Sequence, residues 1–212
     1  MDMTTSDESF PDFFAKAPSI IIQDPLAHFL GAARDGVMEY RYVDAVRLAG
    51  HSCPTVAGTW LMTLHGLRAL YDDTLPVRGE IEVYMADARE AGTTGVMATV
   101  VQLVTGAAPE TGFHGIAGRF GRNNLLHFGQ PVQGVFGLRR KDTGAAVQVA
   151  LDASVVPWSD EMRALLPKAA SGQANATELQ HFGELWQERV RRMLLDHADD
   201  TALVQVSSWT IN

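Results

Sequence analysis

The most regular pattern in the chain is an apolar stretch from Thr55 to Tyr71, in which Val56, Trp60, Leu64, Leu67 and Tyr71 recur at helical spacing. Pro54 suits the first position of that helix, where a missing N–H costs nothing, and this puts Cys53 at or beside the N-cap. Ahead of it, Asp44 to Ala49 has helical character and stops at Gly50. Further upstream, Asp24-Pro25 marks another helix start, with a helix predicted from Leu26 to about Ala33 and an extended segment from Val37 to Tyr42. Gly79 to Met85 alternates polar and apolar residues, which predicts a strand. Val96 to Thr105 reads as a second buried helix, capped near Thr93-Thr94 and ended by Gly106. After a Gly-rich loop over 107–124, three strands are predicted: Leu125 to Phe128, Gln133 to Arg139 and Ala146 to Val155. Thr143-Gly144 forms the turn between the last two. Beyond Pro157 the period returns to helical, with a short helix at Glu161 to Leu166. A longer one runs from Ala176 to about His197, striped by Leu179, Phe182, Leu185, Trp186, Arg189 and Val190. Ala202 to Ile211 alternates well enough for an edge strand.

Strands clustered between helices predict an α+β fold, with a mixed or antiparallel sheet packed against helices, and not a doubly wound α/β sheet. Three regions are expected: a lead-in and short helix at 1–35, an α+β core at 36–157, and a C-terminal helical extension with a possible edge strand at 158–212. Within the lead-in, residues 1–18 read as mobile, with Phe10, Phe13 and Phe14 as anchors.

Composition narrows the function. The 212 residues suit one domain, and 46% hydrophobic content supports a sizeable core. Apolar runs such as Ile20-Ile21-Ile22 are too short to span a bilayer, and the acidic start lacks the features of a secretory signal, so a cytoplasmic location is expected. A net charge of −8 argues against nucleic acid as a partner. The densest basic cluster, Arg189, Arg191 and Arg192, reads as a solvated face near a helix end. The single cysteine excludes an intramolecular disulfide, a zinc ribbon and an iron–sulfur cluster built by one chain.

Chemistry concentrates at Gly50-His51-Ser52-Cys53-Pro54. A thiolate at a helix N-terminus is favoured by the macrodipole, and imidazole and thiolate are both good ligands for zinc and similar metals. The competing structural reading is a buried cysteine capping a helix beside a satisfied histidine. A catalytic alternative makes Cys53 a nucleophile with His51 as its base and Asp44 as the best orienting group. Elsewhere, His65 reads as a core histidine. His114 and His127 flank the stretch GFHGIAGRFGRNN and either is in reach of folding back toward Cys53, while His28, His181 and His197 read as helix surface. The glycines at 112, 115, 118 and 121 match neither a Walker loop nor a dinucleotide fingerprint. With Arg119 and Arg122 they leave a small-molecule or anion-binding loop as a further alternative to a plain connection.

The stretch GHSCPTVAGTWLM resembles the G-H-x-C-P-G motif of the FmdE domain family, which takes its name from a component of formylmethanofuran dehydrogenase. Val101 to Gly106 resembles that family's Q-V-L-T-G-like helix end, and Phe120 to Leu125 its F-G-K-G-N-L segment. Ala170 to Ala174, with Phe182 and Trp186 to Val190, resembles its C-terminal helical tail. The resemblance covers roughly residues 36 to 197. It implies an α+β fold of the type shared with the catalytic domain of glyceraldehyde-3-phosphate dehydrogenase, and ligation of a transition metal, most naturally zinc, by His51 and Cys53. Thr55 stands where the motif often has Gly. Val96, Thr99 and Ala107 stand where the family often carries C-x-x-D and a further Cys. With those ligand positions empty of donors, and with apolar surface on the C-terminal helix, a homodimer that completes or encloses the site is expected, its small-molecule ligand unknown.

Overall fold

The computed structural model describes residues 10–210. Its strands are β1 Ile20–Gln23, β2 Val37–Tyr40, β3 Ile81–Met85, β4 Leu126–His127, β5 Phe136–Arg140, β6 Ala146–Leu151 and β7 Val204–Ser208. Its helices are α1 Pro25–Phe29, α2 Tyr42–Ala49, α3 Pro54–Tyr71, α4 Thr94–Thr105, α5 Asp160–Ala170 and α6 Ala176–Arg191. The fold is α+β. A mixed five-stranded sheet runs in the order β4-β3-β5-β6-β7, parallel between β3 and β4 and antiparallel elsewhere, and β1 and β2 form a separate antiparallel pair.

The core lies between the sheet and α3, which is apolar on almost every side and buried along most of its length. Its interior threonines are satisfied within the helix, Thr59 Oγ1 donating to Thr55 O and Thr63 Oγ1 to Thr59 O, both at 2.8 Å. Two glycines allow the close approach of helix to sheet. A Cβ at Gly66 would lie 2.7 Å from Leu138 Cδ1, and one at Gly58 would overlap Leu151. No helix among the described residues is long and apolar enough to cross a membrane.

Several boundaries differ from those the pattern predicts. Residues 1–9 lie outside the described residues. From Phe10 onward the lead-in is folded: Phe13 and Phe14 are buried, and Trp60 Nε1 donates to Pro18 O at 2.8 Å. The apolar run at Ile20 is a strand. The helix expected to reach Ala33 ends at Phe29, followed closely by Gly31 in the left-handed region at φ 69°. The strand expected to reach Tyr42 stops at Tyr40, because the Asp44 carboxylate accepts the Arg41 N–H at 2.8 Å and opens α2 there. The strand expected to run to Val155 ends at Leu151, where Asp152 caps a 3-10 turn. The short helix expected over Glu161 to Leu166 runs on to Ala170 through Pro167. The long helix breaks into α6 and a π-helical turn at Arg192–Asp196, reaching His197 as expected. β7 is an edge strand, as the alternation predicts, and Ile211 lies outside the described residues.

Candidate functional site

Gly50 ends α2 in the left-handed region at φ 75°, its N–H donating to Val46 O, and Cys53 caps α3 from extended backbone. The turn between them carries His51, Ser52 and Cys53. The Cys53 thiol is buried at 8% exposure, and its Sγ accepts the Val56 N–H at 3.5 Å, in the role of an N-cap oxygen. His51 is exposed, and its Nδ1–H donates to Ala49 O at 3.0 Å. That bond fixes the ring so that Nε2 keeps the free lone pair, which is how metal-ligating histidines are commonly oriented.

Ser52 is gripped from both sides. Its Oγ and the Tyr42 hydroxyl share a hydrogen bond of 2.9 Å, with Tyr42 fully buried against Phe14 and Trp60. Burial pushes the Tyr42 phenol well above its ordinary range, so it stays neutral. From the other side, Trp186 Nε1 and Gln187 Nε2 on α6 each donate to Ser52 O at 3.1 Å. The turn is therefore pinned to α2 and α6 at once.

Above the turn opens a cleft of about 1180 Å³, lined by His51, Ser52 and Cys53 on one side and by residues of α5 and α6 on the other. This exceeds the usual small-molecule pocket of about 300–1,000 Å³. Its wall is apolar, formed by Phe13, Leu166, Leu179, Phe182 and Trp186, with ring centroids of Phe182 and Trp186 5.6 Å apart. The polar rim is acidic, carrying the exposed Glu184 and Glu188. Arg191 also lines the cleft, but Glu188 and Asp196 hold its guanidinium at 2.7 and 2.8 Å. These bonds raise its pKa and lower that of Glu188.

The other residues singled out in the sequence are employed elsewhere. Asp44 caps α2 and pairs with Arg47 at 3.9 Å, so it does not orient His51. His65 Nε2 donates to Ala198 O at 2.7 Å as a satisfied interior histidine. His127 stacks on Tyr84 at 4.8 Å, and neither it nor His114 lines the cleft. Arg122 is buried, bonded to the Asp24 carboxylate at 2.6 Å, and Arg78 reaches the other carboxylate oxygen at 3.2 Å, so Arg122 is not free to receive an anion. Arg189 is not on a solvated face. It is 7% exposed and donates to Val156 O and Ala153 O at 2.8 and 3.0 Å. The role of Trp186, read as part of a helix stripe, and of Gln187, named only within the family resemblance, was not legible, since their partner Ser52 is 134 and 135 positions away.

No family model matches the chain, and no curated protein does. A solved structure does. It is the crystal structure of a tungsten formylmethanofuran dehydrogenase FmdE-like protein from Syntrophus aciditrophicus. It is 17% identical, with 82% of this chain and 74% of that one covered and a TM-score of 0.46.

The donors fit a metal in part. His51 and Cys53 line one cleft, His51 with a lone pair fixed in place and Cys53 at a helix N-terminus. Among the described residues no group of three or more His, Cys, Asp or Glu is placed to hold an ion. Zinc usually takes three or four protein ligands, so two of its positions would be left to the cleft or to a second chain.

Proposed function

We propose that this chain is an FmdE-like metal-binding protein of the cytoplasm that holds a transition metal, zinc foremost, through His51 Nε2 and the Cys53 thiolate and receives a small molecule in the adjoining cleft. The observation that carries the reading is that both donors open onto the same large cleft from a turn held on two sides. The Ala49 carbonyl keeps the His51 ring aimed, and the Val56 N–H supports negative charge on Cys53 Sγ. Trp186 and Gln187 hold the turn that carries both donors. A bound metal with open positions would supply Lewis acidity toward an oxygen, nitrogen or sulfur of that ligand. We include a homodimer in the reading, formed through the open edge of β7.

The test is a zinc titration of tag-free, chelator-treated protein by calorimetry, with about one zinc per chain expected. Cys53→Ser lowers the affinity at least about tenfold, because a hydroxyl is a far poorer zinc ligand than a thiolate. His65→Ala and His127→Ala leave it unchanged. Protein that binds no zinc at micromolar concentration refutes the reading, and full affinity in Cys53→Ser removes the thiolate from it.

A further inference from the structure

We infer that the cleft is shaped for a flat, apolar, neutral ligand that lies against the bare backbone of α6 at Gly183. This deepens the proposed function and rests on it for the role of the turn. The recognition surface itself is separate from the two donors.

Gly183 stands in the interior of α6, where glycine is the poorest residue after proline. A glycine inside a helix is explained when there is no room for a side chain, and α3 shows it: side chains cannot be added at Gly58 and Gly66 without meeting Leu151 and Leu138. Gly183 has no such reason. It lies within the helix without a positive φ, and a Cβ added there meets no atom within 4 Å. The open space it faces is the cleft, which Gly183 lines. Beside it Phe182 and Trp186 form a tilted aromatic pair, and Leu179 lies one turn back. The result is a strip of bare helix backbone between apolar side chains, the surface a planar ring covers best.

Charge selects among such ligands. Glu184 and Glu188 stand exposed on the same helix, and Arg191 is already paired with Glu188 and Asp196. An anionic ligand therefore meets the Glu184 carboxylate and no uncommitted guanidinium in the lining to receive it. Gln187 adds a polar group to the lining: its Oε1 is buried without a hydrogen-bond partner and is an acceptor for an N–H or O–H.

The test uses the full chain, treated with chelator, and the neutral probe N-phenyl-1-naphthylamine, read by its own fluorescence and by tryptophan quenching. Micromolar binding is expected, with anionic 8-anilinonaphthalene-1-sulfonate binding at least about tenfold more weakly. Gly183→Ala raises the melting temperature by about 3 °C, because it removes a helix-interior glycine, and yet weakens the probe severalfold. Gly183→Leu abolishes probe binding while retaining wild-type zinc affinity. A glycine kept for packing would give the opposite sign, and a lower melting temperature for Gly183→Ala overturns the inference. So does an unchanged probe affinity in Gly183→Leu, or a probe that binds only at concentrations where the chain is monomeric, which would assign the cleft to a second copy. Loss of zinc binding with probe binding intact refutes the metal reading and leaves this one standing.

Discussion

Removing the Arg189 guanidinium is expected to loosen α6 from the strand-to-helix connection that precedes α5. Arg189 is buried, donates to the carbonyls of Val156 and Ala153, and lies over the Trp158 ring at 5.0 Å from its centroid. No carboxylate pairs with it among the described residues, and burial, aided by the nearby Arg192 charge, lowers its pKa. Two hydrogen bonds from a charged donor contribute about 1.5–3 kcal/mol each, and the contact with Trp158 about 0.5–2 kcal/mol. Relief of the buried charge offsets a large part of that sum. Arg189→Met keeps the stem packing but leaves both carbonyls without a donor, and a net loss of about 3 kcal/mol follows. For a chain of this size that is a fall of about 6–12 °C in melting temperature. Arg189→Lys, with one ammonium in place of the fork, recovers part of the loss. Urea unfolding followed by tryptophan emission measures both variants. A loss below about 0.5 kcal/mol for Arg189→Met, the ordinary size of a surface substitution, would refute the reasoning and return Arg189 to solvent.

Two further outcomes follow from the same region and from the sheet edge. His181 on α6 donates to Glu161 on α5 at 2.7 Å and lies 3.7 Å from Glu184, which raises its pKa above the ordinary 6.5. A raised folded-state pKa gives stability that is complete below pH 6.5 and lost as pH rises through the raised value. His181→Gln is therefore expected to lower the melting temperature near pH 6 and to leave it unchanged near pH 9, and equal effects at both would show that the clamp does not form. β7 presents an unpaired edge among the described residues, so light scattering is expected to give twice the 23.1 kDa chain mass. A monomer at micromolar concentration refutes this.

What the sequence made legible was local. α3 follows from apolar residues at helical spacing behind a Pro54 that fits only a helix start, and β3 from strict alternation over Gly79 to Met85. His51 and Cys53 stood out for the same reason, since the glycine, the proline and the two donors are adjacent. What was not legible depends on partners far along the chain. Ile20–Gln23 carries no alternation, and it is a strand because it pairs with Val37–Tyr40. Arg122 stood in a glycine-rich loop for which anion binding was only an alternative to a plain connection, and its anion is Asp24, 98 positions away. Arg189 sits in a basic run read as a solvated face, and the carbonyls of Val156 and Ala153, 33 and 36 positions away, draw it inward. The cleft itself could not be read, because it exists only where α5 and α6 fold back over the turn at Ser52.

The two walls of the cleft are held with different firmness, and this bears on what it can bind. The wall bearing the donors is rigid: Tyr42 anchors Ser52 from the core, Trp186 and Gln187 anchor it from α6, and Arg189 and Val190 fasten α6 to the body. The facing wall, α5, is held otherwise. Among its residues only Met162 is fully buried, and its polar ties to α6 are the exposed pairs Glu161–His181 and Lys168–Glu178. Exposed ion pairs contribute little, so local opening costs least at α5. On the proposed reading, a ligand of variable bulk would be accommodated at α5, which carries Leu166, Ala169 and Ala170 in the lining, rather than at the pinned turn of His51 and Cys53. Breadth of apolar recognition and fixed donor geometry would be compatible in one site because the loosely held wall is α5, while the donors sit on a turn fastened to the core and to α6.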